Sequence, residues 1–278
     1  MIDRAFIRLD EGLVHYRHRS ISSLGRPLFM VHAGPVSSLS LVPFIEALPD
    51  TRPIIAPDSL GYGDSAAPKP ESPDIHYYAD SAIRIMDTLG VEKVDYYGSH
   101  TGANIGCEVA INHPDRIGGL ILEGLGLFDS KTRTDLLENY APPQEPDHYG
   151  AHLHWAWNFL RDQSLHYPYY RRDPEHRLNV PVFPTELLHD FSLDVLKALR
   201  TYHKGYNAVF RHDIIARLPL VTTPALVLAH DYDPMSKDVS DIIDLLPDGQ
   251  GSVVSGENAL AEKVKSVEAF LNNYAKNT

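Results

Sequence analysis

Hydrophobic and polar positions along the chain alternate between the period of a strand and that of a helix. Phe6–Leu9 and Leu13–His18 are short β-prone runs around Asp10-Glu11-Gly12, which predicts a hairpin. Pro27–His32 and Ile54–Ala56 are compact apolar strands, and Ser38–Leu48 between them carries an apolar helical face. Ile75–Leu89 predicts a helix with Ile75, Tyr78, Ala82, Ile85, Met86 and Leu89 inward, stopped by Gly90. Val94–Tyr97 is the next strand, Thr101–His113 the next helix and Ile117–Leu122 the strand after it. Strands alternating with helices imply a parallel sheet covered on both faces.

The alternation fails between about residues 128 and 210, where prolines and aromatics crowd together and His148–Leu160 and Leu187–Tyr202 have helical spacing. This stretch predicts a helical insertion over the strand ends. The rhythm returns with a strand at Ala225–Ala229, a helix at Val239–Leu246, a strand at Gly251–Val254 and a helix at Glu262–Tyr274. The expected division is therefore a core of 1–127 and 211–278 with a cap of 128–210.

Composition narrows the function classes. A formal net charge of −12 argues against nucleic acid or an anionic membrane as partner. No run of eighteen apolar residues appears, and the start of the chain lacks signal-peptide character. With a single cysteine, Cys107, a cytoplasmic setting is expected. The expected partner is a small-molecule substrate, met by a monomer or homodimer without a cofactor.

The chemistry centres on Gly98-Ser99-His100-Thr101-Gly102, at a predicted turn from strand into helix. This is the spacing of a nucleophile elbow, with small residues two before and two after the apex, but the apex is histidine. Together with Val31-His32-Ala33-Gly34-Pro35 and Asp58-Ser59-Leu60-Gly61-Tyr62-Gly63-Asp64-Ser65, in this order, it resembles the α/β-hydrolase superfamily. The resemblance implies a mostly parallel sheet of about eight strands, helices on both faces and a helical cap. It implies an oxyanion hole from the Gly34 and Thr101 amides, and an acid at Asp233 in His230-Asp231-Tyr232-Asp233-Pro234. It also implies a histidine after the last strand, where this chain has Ser255-Gly256-Glu257-Asn258; no histidine follows His230. The three family positions become His100, Asp233 and Glu257.

Glu257 accepting from one ring nitrogen, with Asp233 close by, would make His100 a general base towards water, and direct attack through an acyl-imidazole is the other hydrolytic route. Hydrolysis of an ester, lactone or activated carbonyl is the leading expectation. A lyase or cofactor-free oxygenase of this fold, or a ligand-binding member without catalysis, remains open. A histidine with two carboxylates could hold a metal, but no paired ligand spacing supports one. Ser99 is set aside, because one step before the apex its side chain should point elsewhere. Cys107 is expected in the core, and Asp58–Ser65 as a packing turn. His32 and the cap residues His152, His154 and Trp155 are the candidates for the substrate pocket.

Overall fold

The computed structural model describes residues 1–20 and 25–275. Eight strands, β1 (Asp3–Leu9), β2 (Gly12–Arg19), β3 (Leu28–Val31), β4 (Ile54–Pro57), β5 (Val94–Ser99), β6 (Ile117–Glu123), β7 (Ala225–His230) and β8 (Gly249–Val254), form one sheet. Their order is β1-β2-β4-β3-β5-β6-β7-β8. Only β2 runs against its neighbours, pairing antiparallel with β1 and β4, and every other pairing is parallel. The predicted hairpin is the β1–β2 pair.

The helices are α1 (Val42–Ala47), α2 (Ile75–Thr88), α3 (Thr101–Asn112), α4 (Ser130–Asn139), α5 (Ala151–Gln163), α6 (Thr185–Lys197), α7 (Tyr202–Arg211), α8 (Ile214–Arg217), α9 (Val239–Leu245) and α10 (Ala259–Ala275). The helix expected over Ser38–Leu48 is divided. Ser37 caps a 3-10 turn at Ser38–Leu41, and α1 starts anew with Pro43 in its first turn, where the missing N–H of proline costs nothing.

Parallel strands buried on both faces need continuous apolar runs rather than alternation, and β3 and β5 supply them. Phe29, Val31 and Tyr96 pack with α2 and α3 on one face, while Leu28, Met30 and Tyr97 pack with α1 and α10 on the other. Each such fully buried side chain stabilises the fold by roughly 1.5–3 kcal/mol.

Helices α4 to α7 lie between β6 and β7 in sequence and share an aromatic cluster. Trp155 stacks on Phe159 at 4.9 Å between ring centroids, and Phe159 meets Tyr169 and Tyr202 edge-on. Polar contacts, these among them, tie this layer to the sheet. Asp194 on α6 accepts from the Ser37 amide at 2.9 Å and the Ser37 hydroxyl at 2.6 Å. Tyr62 donates to the Tyr202 carbonyl at 2.9 Å, and Tyr206 to the Gly34 carbonyl at 3.0 Å. Among the described residues, no helix is long and apolar enough to cross a membrane.

Candidate active site

The chain turns from β5 into α3 at His100, which has φ 49° and ψ −101° and is the only described non-glycine residue with positive φ. Such a backbone costs on the order of 1–3 kcal/mol and persists only where its surroundings fix it. Here the His100 amide donates to the Glu123 carbonyl at 2.8 Å, while the His100 carbonyl accepts from Ala103 and Asn104 amides at 3.0 and 3.2 Å. The two flanking glycines are required sterically. A β-carbon on Gly98 would sit 2.2 Å from the Gly102 carbonyl oxygen, and one on Gly102 2.2 Å from that of Val31.

The His100 ring leans over the end of β6. A β-carbon at Gly124 would lie 2.4 Å from His100 Cε1, and Gly124 has φ 62°, so only glycine admits both the backbone and the ring. Beyond Gly124 the ring meets Asp233, in the loop after β7, with Nε2 2.9 Å from Oδ2. The His100 side chain is 45% exposed and that of Asp233 12%, so the pair is open on the imidazole side. Asp233 is held in turn by the Met235 amide at 2.9 Å.

The other ring nitrogen, Nδ1, lies 3.0 Å from the Ser99 hydroxyl. Desolvation works to lower the His100 pKa, but the charge of Asp233 and its hydrogen bond, with Glu123 behind them, outweigh it and raise the value. Burial works to raise the Asp233 pKa, and the same pairing with His100 overrides it and lowers the value. With Asp233 accepting Nε2–H, the neutral ring carries its lone pair on Nδ1.

Below the elbow a second polar group surrounds Ser99. Tyr97 donates to Glu123, and Lys263 Nζ reaches Tyr97 Oη at 2.9 Å and Glu123 Oε2 at 2.7 Å. The Ser99 hydroxyl also interacts with the Tyr97 phenol. Burial first, and then Glu123, push the Tyr97 phenol far up. None of these four was singled out as a site residue from the sequence. The available signal was an acidic residue, Glu123, closing an otherwise apolar strand.

Several expected site residues stand elsewhere. Glu257 is exposed, and the partners of the His100 ring are Ser99 and Asp233, so the expected His100–Glu257 pair does not form. The connection is too short to carry Glu257 to the elbow: only the exposed turn 255–258 leads from β8 into α10.

His32 is not a pocket residue. It is 1% exposed, its Nδ1 bonds the Ala33 carbonyl at 2.8 Å and its Nε2 accepts from the Ser59 amide at 2.9 Å. Burial lowers its pKa, which leaves a neutral ring fastening two loops.

Trp155 belongs to the aromatic cluster of α4 to α7, His154 is exposed, and His152 pairs with Asp147 at 3.5 Å. His152 lines a lateral cleft of about 460 Å³ with Gly61, Gly63, Leu196, Lys197 and Arg200, and neither His100 nor Asp233 lines it. Gly34 and Thr101 do meet, but through the Gly34 amide and the Thr101 hydroxyl, at 3.3 Å. The Thr101 amide stands at the first position of α3, the positive end of the helix.

Asp58 has the structural role expected of its turn. Burial opposes its ionisation, but His15 at 2.8 Å and the amides of Ser38 and Asp64, both at 2.9 Å, hold its pKa well below the usual range. His15, Asp58 and Asp64 lie close enough to ligate a cation. However, Arg4 bonds His15 and Asp64, and Lys197 bonds Asp64, so the cluster is already charge-paired. Cys107 is buried and its thiol pKa is raised by burial, as befits a core residue.

Comparison with known proteins agrees with this architecture. The sequence profile of the alpha/beta hydrolase fold family matches residues 26–256. The chain is 28% identical over 245 residues to "Putative carbamate hydrolase RutD" of Caulobacter vibrioides, spanning 84% of this chain and 83% of that protein. It is 32% identical over 106 residues to 2-hydroxymuconate semialdehyde hydrolase of a Pseudomonas species, where the match spans only 37% of this chain and 38% of that protein. Among solved structures, an epoxide hydrolase from an endophytic Streptomyces superposes with a TM-score of 0.76 at 17% identity, over 100% of this chain and 97% of the other. With the profile covering most of its length, the chain belongs to the α/β hydrolase fold family.

Proposed function

We propose that this protein hydrolyses a small organic substrate carrying an ester, lactone or activated carbonyl, with His100 as the general base and Asp233 as the carboxylate that orients it. The observation that carries this reading is the 2.9 Å contact between His100 Nε2 and Asp233 Oδ2 at the strained apex of the elbow. Asp233 holds the proton on Nε2, and the lone pair on Nδ1 is left to take a proton from the attacking group. The partial exposure of the ring gives that group a way in. The hydrolase names of the two relatives support the reaction class, and the Thr101 amide at the positive end of α3 suits the developing oxyanion.

A positioned base of this kind contributes about 10²–10⁴-fold. His100→Gln should therefore lower kcat/KM by that factor on whichever chromogenic ester or lactone the wild type turns over, with oxygen-18 from water appearing in the acid product. Full turnover by His100→Gln, or a product without the label, would remove the reading.

A further inference from the structure

The sequence motif leaves the elbow without a hydroxyl at its apex, yet the structure holds one beside it. In the family pattern, the apex carries the nucleophile and a histidine arrives after the last strand. Here the imidazole is anchored at the apex itself and reaches the acid after β7 without a residue from β8. The lone-pair nitrogen of that imidazole has a neighbour, the Ser99 hydroxyl, at 3.0 Å. Hydroxyl, imidazole and carboxylate thus form a continuous line, Ser99 Oγ to His100 Nδ1 and His100 Nε2 to Asp233 Oδ2, with each of the first two groups moved from its usual anchor.

We propose that Ser99 is the nucleophile of this site, forming a Ser99–His100–Asp233 triad that takes acyl esters as its substrate class. The inference rests on the reading of His100 as a base and replaces water by Ser99 as the group it first deprotonates.

Two further observations favour it. Ser99 is half-buried rather than sealed. Asp233 selects the tautomer in which Nδ1 accepts, so the hydroxyl is the donor in the Ser99–His100 contact.

The step balances within the chain. Ser99 Oγ bonds to the carbonyl carbon, its proton passes to His100 Nδ1, and the carbonyl π pair moves to oxygen. Collapse of the adduct breaks the bond to the alcohol oxygen, which leaves with the proton from Nδ1, and the acyl group stays on Ser99. Water then adds to that ester, gives its proton to Nδ1, and the acid departs as Ser99 Oγ regains it.

The test is covalent trapping. The full chain is treated with a fluorophosphonate, which loses fluoride as a serine oxygen bonds to phosphorus, and the adduct is located by peptide mass; p-nitrophenyl acetate is used in parallel for a burst. The expected result is one adduct per chain on Ser99 and a stoichiometric burst. Ser99→Ala should lose both, with kcat/KM down about 10³-fold or more, and Ser99→Cys should move the acetyl group to the new thiol. Labelling of His100, or no label where a serine hydrolase of this fold is fully modified, overturns the proposal. Retention of turnover by Ser99→Ala together with its loss in His100→Gln also overturns it while leaving His100 as a base on water. Retention of turnover by both variants overturns the two readings together.

Discussion

Replacing Asp233 by asparagine removes one charge and changes almost no volume, so it isolates what the carboxylate does. In the wild type, Asp233 accepts Nε2–H and leaves the lone pair on Nδ1. An asparagine amide can instead donate to Nε2, which drives the proton to Nδ1 and takes the base away from the attacking group. In the best-studied Ser-His-Asp template, the same substitution costs about 10⁴-fold in kcat, and a loss of 10³–10⁴ here corresponds to about 4–5.5 kcal/mol of barrier. The cost in stability is far smaller. The imidazole is 45% exposed, so screening by water limits the pair to about 1 kcal/mol, and the new oxygen still accepts from the Met235 amide. Melting should fall by only a few degrees.

The pH dependence separates the effects further. The folded pKa of His100 is raised and that of Asp233 lowered. The stability from His100 is full below its unfolded pKa and lost as pH rises through its folded pKa. That from Asp233 is full above its unfolded pKa and lost as pH falls through its folded pKa. The pair thus stabilises most between about pH 4 and pH 6.5. Catalysis needs the neutral ring and rises with pH through the raised His100 pKa. In Asp233→Asn the acid limb of the kcat/KM profile should move to lower pH and its plateau should collapse. An unchanged acid limb with kcat/KM within about twofold of wild type would refute the argument, since twofold is about 0.4 kcal/mol.

Two other substitutions test the surroundings of the ring. Gly124→Ala would put a methyl group 2.4 Å from His100 Cε1 on a backbone with positive φ; it should destabilise the fold by about 1 kcal/mol or more and lower kcat/KM at least about tenfold by displacing the ring, measured by urea denaturation and steady-state kinetics. Lys263→Met leaves the Glu123 carboxylate, 15% exposed, without its cation; stability should fall by about 3 kcal/mol and recover in Lys263→Met/Glu123→Leu. Because Lys263 is among the charges that lower the His100 pKa, the single variant should also shift the acid limb of the rate profile to higher pH.

The sheet was legible because buried parallel strands leave near-continuous apolar runs and the helices between them keep a clear face. The elbow was legible because Gly98 and Gly102 are dictated by backbone atoms within 2.2 Å of where a β-carbon would be. Asp233 was picked out from its place after β7, and the fold puts it 2.9 Å from the His100 ring. Glu257 was misassigned because matching motifs by order along the chain does not show that the turn after β8 is short and exposed. His32 was misread because only the folded chain brings the Ser59 amide to its ring. Ser99 was set aside on the rule that neighbouring side chains diverge. That rule holds for short side chains, but an imidazole is long enough for its Nδ1 to turn back to the preceding hydroxyl.

The central claim is that the elbow imidazole is bound by Asp233 through Nε2 and keeps Nδ1 available as a base. Nitrogen-15 spectra of histidine-labelled protein across pH test this directly, with the His100 signals assigned by their loss in His100→Gln. The account predicts a neutral His100 with its proton on Nε2 and an apparent pKa above that of an ordinary histidine, which falls in Asp233→Asn. A neutral ring protonated on Nδ1, or a pKa that ignores Asp233, would contradict it.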